Sequence, residues 1–211
     1  MRLLCLTSTI ALVACSGETT DKDKGPACDP TSLAVVSDID ETLTTTDGEW
    51  LDQVSDPTHD PAMRPDANTM MQTYADFGYR VIYITARGQQ MTLSDDRSST
   101  EATEDWLLDH DFPLRDGDLY LAEGVGALGS TAIEYKSGVI ADLEADGLTV
   151  AWAYGNADTD IEAFQLAGVG DDQIFLVGVL AGGMGVQPIM GADAYSNHLG
   201  HHVEPLGCAS E

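Results

Sequence analysis

Five short runs of apolar residues, several of them rich in β-branched side chains, divide the chain. None of these runs alternates strictly between apolar and polar positions, a pattern typical of strands that are buried on both faces of a sheet. The runs predict strands at Leu33–Ser37, Val81–Ile84, Leu119–Ala122, Val150–Tyr154 and Ile174–Val177.

Segments with apolar residues at helical spacing lie between these runs. They predict helices at Asp66–Phe77, Thr100–Asp109, Tyr135–Ala145 and Asp158–Ala167. Strands that alternate with helices predict an α/β fold, a Rossmann-like parallel sheet with helices on both faces. In such a sheet, ligands bind at the carboxyl ends of the strands. Residues 41–65 contain many turn formers, and we expect them to form a flap over that edge.

The charge balance narrows the range of partners. The chain has 211 residues, enough for one domain, and 36 acidic residues against 9 Lys and Arg give a net charge of -27. Such a surface repels nucleic acid, so we expect no nucleic-acid partner. Any phosphate site would need local positive charge, which a bound cation supplies most simply. A solvated acidic surface without functional meaning is the alternative interpretation of the charge as a whole.

The amino terminus has the features of an export signal. One positive charge precedes an apolar run too short to span a bilayer, and the run ends in the sequence LVAC at residues 12–15. This segment resembles the lipobox of bacterial lipoproteins, which implies a signal peptide at residues 1–14 and lipidation of Cys15. An ordinary secretory signal is the alternative, and both predict an exported protein. Ser16 resembles the residue that sorts lipoproteins to the outer membrane.

Residues 15–27 are polar and lack periodicity, so we expect a flexible tether between the anchor and a domain at residues 28–211. The lipid anchor would hold this domain at a bacterial membrane, facing the periplasm or the cell surface. Cys28 and Cys208 lie at the two ends of the domain, and an oxidising compartment favours a disulfide between them. Two free thiols are the alternative.

Carboxylates follow the first predicted strand directly, at Asp38 and Asp40. Two carboxylates so close together repel each other unless a cation lies between them. Hard oxygen ligands beside an expected phosphate indicate Mg²⁺. An acidic strand end in a very acidic protein is the alternative for this pair taken alone.

The other strand ends carry polar groups of complementary chemistry. Thr85 ends the second strand, and Lys136 is predicted to open the third helix. The fourth strand leads into Asn156 and Asp160, at the start of a helix whose free backbone N–H groups attract anions. Lys136 stands out because the two other lysines lie in the predicted tether.

These four segments resemble the four motifs of the haloacid dehalogenase (HAD) superfamily. Asp38 and Asp40 are similar to its DxDx[TV] motif, Thr85 to motif two, Lys136 to motif three, and Asn156 with Asp160 to the metal-binding motif. The chain is more specifically similar to the lipin-type (LNS2) phosphatase domain, through the segments DIDETLTTTDGE, YADFGYRVIYITARG and YGNADTDIEAF. The sequence departs from that family at Glu41, where glycine is usual, and at Ala157, where arginine is usual.

The resemblance implies a Mg²⁺-dependent phosphomonoesterase with little or no cap domain. Asp38 would be the nucleophile and Asp40 the general acid and base. Mg²⁺ would bind Asp38, the backbone carbonyl of Asp40, and Asn156 or Asp160, while Thr85 and Lys136 would hold the phosphoryl oxygens. The expected substrate is phosphatidate or a related phospholipid, hydrolysed by a monomer. A broad phosphatase for small soluble phosphomonoesters and a phosphatidate-binding module without activity are the alternatives.

Overall fold

A computed structural model describes residues 28–191 and 194–210; the predicted signal peptide, the lipidation site Cys15 and the predicted tether lie outside these residues. The strands are β1 (Leu33–Ser37), β2 (Arg80–Gly88), β3 (Leu119–Ala122), β4 (Thr149–Gly155), β5 (Ile174–Val177) and β6 (Gln187–Ile189). The helices are α1 (Gly48–Ser55), α2 (Ala67–Asp76), α3 (Ser99–Asp109), α4 (Ser130–Ala145), α5 (Asp158–Leu166), α6 (Ala194–His198) and α7 (Glu204–Leu206). A π-helical turn, Leu199–Val203, joins α6 to α7.

The strands form one parallel sheet in the order β3-β2-β1-β4-β5-β6. The predicted Rossmann-like parallel sheet is therefore confirmed. β1 lies between β2 and β4, and its last residue, Ser37, pairs with Tyr83 on one side and with Tyr154 on the other. This register brings the loops that follow β1, β2 and β4 to the same edge of the sheet, where the predicted site residues lie.

Each face of the sheet is covered by its own apolar cluster. Val35 points into the cluster that packs under α2 and α3, whereas Ala34 and Val36 point into the cluster under α4 and α5. Successive side chains of a strand point to opposite faces, so a strand that is buried on both faces must be apolar throughout. This explains why the strands read as continuous apolar runs.

Several boundaries differ from the predicted ones. β6 is missing from the prediction because it is only three residues long and contains Pro188, which a sheet tolerates at its edge. α4 begins at Ser130 rather than at Tyr135, so the prediction that Lys136 opens this helix is wrong, and Lys136 lies in its second turn. The polar residues at the start of α4 carry too weak an apolar pattern to mark the first turn.

The predicted flap, residues 41–65, contains α1 and packs against the body of the domain. Trp50 of α1 is buried against Leu93 and Ala102. No helix within residues 28–191 and 194–210 combines the length and the apolar character that crossing a membrane requires.

The disulfide predicted from the sequence is present in the structure. It joins Cys28 to Cys208 with 5.6 Å between the Cα atoms and a sequence separation of 180. Backbone groups at and beside the two cysteines form hydrogen bonds with the end of α2. The Cys28 amide donates to the Asp76 carbonyl (2.9 Å), and the Ala209 amide donates to the Phe77 carbonyl (2.7 Å). The disulfide and these two hydrogen bonds therefore hold both ends of the described domain at the end of α2.

The carboxyl-terminal helices bury a polar chain beneath the sheet. The Tyr154 hydroxyl lies 2.6 Å from the Tyr74 hydroxyl and 2.8 Å from Nε2 of His198. The His198 ring stacks on His202 and also packs against Phe175. Burial, and to a smaller extent His202, lower the pKa of His198 from 6.5 to about 3, so this ring is neutral in the folded protein.

Replacing both cysteines of the disulfide with serine should lower the free energy of unfolding by about 4–5 kcal/mol, because the bond restricts a long loop in the unfolded chain. Urea unfolding of the oxidised protein and of the double variant measures this loss. A reductant should shift the unfolding midpoint of the parent protein but leave the midpoint of the double variant unchanged. Equal midpoints for the oxidised parent and the variant would contradict the prediction.

The His198 ring should make the fold sensitive to acid. Because its folded-state pKa of about 3 lies below the unfolded value of 6.5, only the unfolded chain takes up this proton between the two values. Stability should therefore fall as the pH decreases below 6.5. His198→Gln, which can still bond to the Tyr154 hydroxyl, should show a smaller decrease in urea midpoint between pH 7 and pH 5. Identical pH profiles for the two proteins would contradict this assignment.

Candidate active site at the carboxyl edge of the sheet

A buried triad of charged side chains forms the centre of the candidate site. Asp38 follows β1 directly, Lys136 projects from the second turn of α4, and Asp160 lies in the first turn of α5. Nζ of Lys136 lies 2.6 Å from Oδ1 of Asp38 and 2.6 Å from Oδ1 of Asp160, and all three side chains are buried. One ammonium thus links three elements of the fold.

Burial and charge act in opposite directions on this triad. Burial raises the pKa of Asp38 to about 7, and the neighbouring Lys136 offsets only part of that effect. Burial alone would lower the pKa of Lys136, but the facing carboxylates of Asp160 and Asp38 outweigh burial and raise it. Lys136 is therefore permanently charged, and Asp38 is a carboxyl group that needs further positive charge to be fully ionised at neutral pH.

Asp160 also organises the start of α5. Its Oδ2 accepts hydrogen bonds from the backbone N–H groups of Asn156 (3.0 Å) and Ala157 (3.1 Å). The Asp160 side chain lies so close to the end of β4 that a Cβ atom added to Gly155 would be only 2.5 Å from the Cβ atom of Asp160. Glycine at position 155 therefore allows the helix to start against the strand end, which places Asn156 beside Asp38.

Asp40 belongs to a second cluster on the β2 side of the site. Arg87 donates two hydrogen bonds to the Asp40 carboxylate, from Nε to Oδ2 at 2.9 Å and from Nη2 to Oδ1 at 2.7 Å. The Thr85 hydroxyl donates to Oδ2 as well, at 3.2 Å. Two parallel N–H donors fix both the position and the orientation of a carboxylate. The Asp40 side chain is nevertheless 20% exposed, so it is accessible from the cleft while Arg87 holds it in place.

Arg87 is itself held by two elements far apart in sequence. Its guanidinium lies 4.2 Å from the centre of the Trp50 ring on α1, and its Nη1 donates to the Thr103 hydroxyl on α3 at 3.0 Å. Arginine stacks well on aromatic rings because its planar cation is weakly hydrated. The local sequence pattern does not predict this contact of Arg87, because it depends on how α1 folds back.

A third group of polar residues joins β1 to β4. The Thr42 hydroxyl donates to Oδ2 of Asp38 at 2.9 Å and lies 3.1 Å from Oδ1 of Asn156. Nδ2 of Asn156 donates to Oε2 of Glu41 at 3.3 Å. Glu41 has a φ of 54°, in the left-handed region that glycine adopts most easily.

The residues present fit a hard divalent cation. Oδ2 of Asp38 and Oδ1 of Asn156 both lie within 3.1 Å of the Thr42 hydroxyl, and carboxylate and amide oxygens are ligands that such cations accept. Burial raises the pKa of Asp38, an effect that a bound cation would oppose. Asp160 fits a direct ligand role less well, because Lys136 and two backbone N–H groups already occupy its oxygens. Among the described residues, no group of three Asp, Glu, His or Cys side chains is arranged around a single point.

Residues from each of the three groups line a small cleft of about 140 Å³. Asp38, Asp40, Lys136, Asn156 and Asp160 all contribute to its wall, so the structure brings these five predicted site residues together. Thr85, predicted to bind phosphate, is fully buried and bonds to Asp40 instead of lining the cleft.

Asp47, which precedes α1, also lines this cleft and was missing from the prediction. Burial and, after it, the charges of Asp40 and Asp160 raise the pKa of this carboxyl group. Its place in the cleft depends on the path of the segment that contains α1, which the local sequence pattern does not reveal.

Exposed apolar side chains lie at this cleft and at a second one. In the loop after β3, Leu128 is 88% exposed and lines the cleft, and Val125 nearby is 78% exposed. Val179 after β5 is 93% exposed, Met190 after β6 is 70% exposed, and both line a second cleft of about 350 Å³, whose wall also includes Glu41. We call these four residues the apolar rim.

Two relatives match a large part of the chain. It is 28% identical over 172 residues to protein retinal degeneration B of Drosophila melanogaster, a match that covers 79% of this chain and 12% of that protein. It is 27% identical over 154 residues to membrane-associated phosphatidylinositol transfer protein 3 of Mus musculus, covering 72% of this chain and 14% of the relative. The chain therefore spans only a small part of the length of either relative.

Solved structures share the fold. A HAD-like phosphatase from Mesorhizobium loti aligns with a TM-score of 0.57 at 19% identity, over 89% of this chain and 93% of that one. D,D-heptose bisphosphate phosphatase from B. bronchiseptica, complexed with magnesium and phosphate, aligns with a TM-score of 0.51 at 14% identity, over 80% and 98%. The predicted HAD-type fold is confirmed. The LNS2 domain family, described as PITM 1-3, LNS2 domain, matches residues 35–178, and the chain therefore belongs to this lipin-type family.

Proposed function

We propose that the domain hydrolyses phosphomonoesters with the help of Mg²⁺, through an aspartyl-phosphate on Asp38, and that its substrate is phosphatidate or a related phospholipid. The observation that carries the proposal is the buried Asp38 carboxylate, held by Lys136 at the wall of an open cleft. A carboxylate used only for structure would not need to face a cleft that is large enough for a phosphate group.

In the first step, a carboxylate oxygen of Asp38 attacks phosphorus, and the bond from phosphorus to the ester oxygen breaks. Lys136 uses two of its three N–H donors on Asp38 and Asp160, so the third is available for a phosphoryl oxygen. Asp40 donates a proton to the departing alcohol oxygen. The products of this step are the free alcohol and phospho-Asp38.

In the second step, water attacks the phosphorus of phospho-Asp38 while Asp40 accepts a proton from it. Inorganic phosphate leaves, and Asp38 is regenerated. The same carboxylate must therefore face the ester oxygen and then the water, in one fixed position. The bidentate contact with Arg87 holds Asp40 in that position.

Asp38, Asn156 and the carbonyl of Asp40 would hold Mg²⁺, and Asp160 would support it from behind Lys136. When bound, Mg²⁺ neutralises the charge of the phosphate and of the attacking carboxylate. The raised pKa of Asp38 supports this assignment, because the carboxylate lacks sufficient positive charge without it.

The apolar rim supports a lipid substrate. The four residues of the apolar rim are large, apolar and exposed, and three of them line one of the two clefts. Exposed apolar surface beside a polar cleft is a feature of sites that contact a membrane or a partner. The phosphate of a phospholipid lies at the membrane surface, where the rim could contact the region just below the head groups. A lipid anchor at Cys15, on an exported chain, would keep the domain at that surface.

The full chain with Mg²⁺ should release phosphate from phosphatidate in mixed vesicles, and Asp38→Asn should release none. Val125→Ser should lower release from vesicles several-fold but leave hydrolysis of a soluble phosphate ester unaffected, because Val125 is exposed and does not line the cleft that holds Asp38. Leu108→Ser, on α3 outside both clefts, is the matched control and should behave like the parent chain. A malachite-green assay of released phosphate measures all four proteins.

Other outcomes of that experiment identify the alternatives. Release from soluble esters alone would indicate a broad soluble phosphatase and would contradict the lipid substrate. Binding of phosphatidate without release from any ester would mean that the site serves recognition, and the proposed chemistry would then be wrong.

Arg87→Lys should reduce kcat by about tenfold or more and change KM little, because a single ammonium cannot fix both oxygens of Asp40. Arg97→Lys is a suitable control, since Arg97 pairs with Asp95 and Asp105 on the surface, away from the cleft. Steady-state kinetics across a range of pH measures the effect. An unchanged kcat for Arg87→Lys at every pH would exclude a positioning role for Arg87.

A further inference from the structure

Glu41 occupies a backbone conformation that its side chain disfavours. Its φ of 54° lies in the left-handed region, and the lipin-type motif that this segment resembles has glycine at the same place. Non-glycine residues persist in such conformations only where the surrounding structure determines them, and they concentrate at functional sites. The conformation of Glu41 therefore calls for a function of its side chain.

The backbone of Glu41 is held on both sides. Its N–H donates to the Thr44 hydroxyl at 2.9 Å. Its carbonyl accepts two hydrogen bonds from Arg64, from Nε at 3.1 Å and from Nη2 at 2.8 Å. These contacts fix the direction in which the Glu41 side chain leaves the loop.

The carboxylate reaches the amide of Asn156. Nδ2 of Asn156 donates to Oε2 of Glu41 at 3.3 Å, and Oδ1 of Asn156 then lies on the side of Thr42 and Asp38. A carboxylate accepts hydrogen bonds only, so it can face the NH₂ end of the amide but repels the oxygen end. The contact consequently selects one of the two orientations of the Asn156 amide.

We propose that Glu41 is a positioning residue of the cation site, which keeps Oδ1 of Asn156 directed at the cation beside Asp38. The inference rests on the proposed Mg²⁺ site and assigns a task to the residue that departs from the family motif. A carboxylate in place of Asn156 would offer an oxygen in either orientation. An amide offers its oxygen in only one, and the opposite orientation would turn an NH₂ group toward a cation. Glu41 removes that second orientation.

Glu41→Gly separates the two effects of this residue. Without Mg²⁺, the variant should unfold at a temperature about 2 °C higher, because glycine adopts the left-handed conformation without strain. Its affinity for Mg²⁺ should nevertheless fall about tenfold, since the Asn156 amide can then turn. Thermal unfolding and isothermal titration calorimetry of the full chain with MgCl₂ measure these two quantities without any enzyme assay.

Two further variants distinguish orientation from charge. Glu41→Gln keeps a side-chain oxygen that can accept the Asn156 hydrogen bond, so it should bind Mg²⁺ within about threefold of the parent chain. Asp158→Asn removes one negative charge from the exposed first turn of α5, where the Asp158 carboxylate accepts a hydrogen bond from the Thr159 amide, and should also have little effect.

Three results would overturn the inference or the function beneath it. Parent-like Mg²⁺ affinity in Glu41→Gly would show that Asn156 needs no such partner. A loss in Glu41→Gln as large as that in Glu41→Gly would show that charge, rather than orientation, is what Glu41 supplies. If the parent chain itself bound no Mg²⁺, the proposed cation site would be wrong, and the role of Glu41 would fail with it.

Discussion

The contact on which the rest of the site depends is the ammonium of Lys136 between the carboxylates of Asp38 and Asp160. It is the only lysine that follows residue 24 in a chain with a net charge of -27. Two buried carboxylates facing each other would repel strongly, and burial alone would favour their protonated forms. One buried cation keeps the ends of β1 and β4 together. It thereby fixes Asp38 and Asp160 at the starts of the segments that follow these strands.

The overall fold could be predicted because burial on both faces of a parallel sheet leaves a direct trace in the sequence. β1, β3 and β5 have the bounds expected from their apolar runs. The same principle explains what was missed. β6 is short and lies at an edge, so it needs few apolar residues. α1 is stabilised mainly by Trp50 inserting against another helix, a tertiary contact that local periodicity does not encode.

For the candidate site, the positions of the residues could be predicted, but the contacts between their side chains could not. Asp38, Asp40, Asn156 and Asp160 follow from their places at strand ends and at a helix start, which the sequence order largely fixes. Lys136 was predicted as a site residue although its place in the second turn of α4 was not. What could not be predicted is how side chains pair once these segments meet. Asp40 turns to Arg87, Thr85 turns to Asp40, and Asn156 turns to Glu41. Each pairing is decided by charge and distance in three dimensions, and alternation of apolar and polar residues carries no information about it.

The pairings also suggest why a strongly acidic protein can hold an anionic substrate. Arg87 and Lys136 each neutralise a carboxylate at the cleft, and Arg64 bonds to the Glu41 carbonyl on its far side. These three positive charges therefore orient oxygens of the protein near the clefts. In the function that we propose, the Mg²⁺ held by those oriented oxygens would bind the phosphate. Cation binding at such a site depends on how its oxygen ligands are directed. The orientation of the Asn156 amide, which contacts both Thr42 and Glu41, should therefore affect the affinity for Mg²⁺.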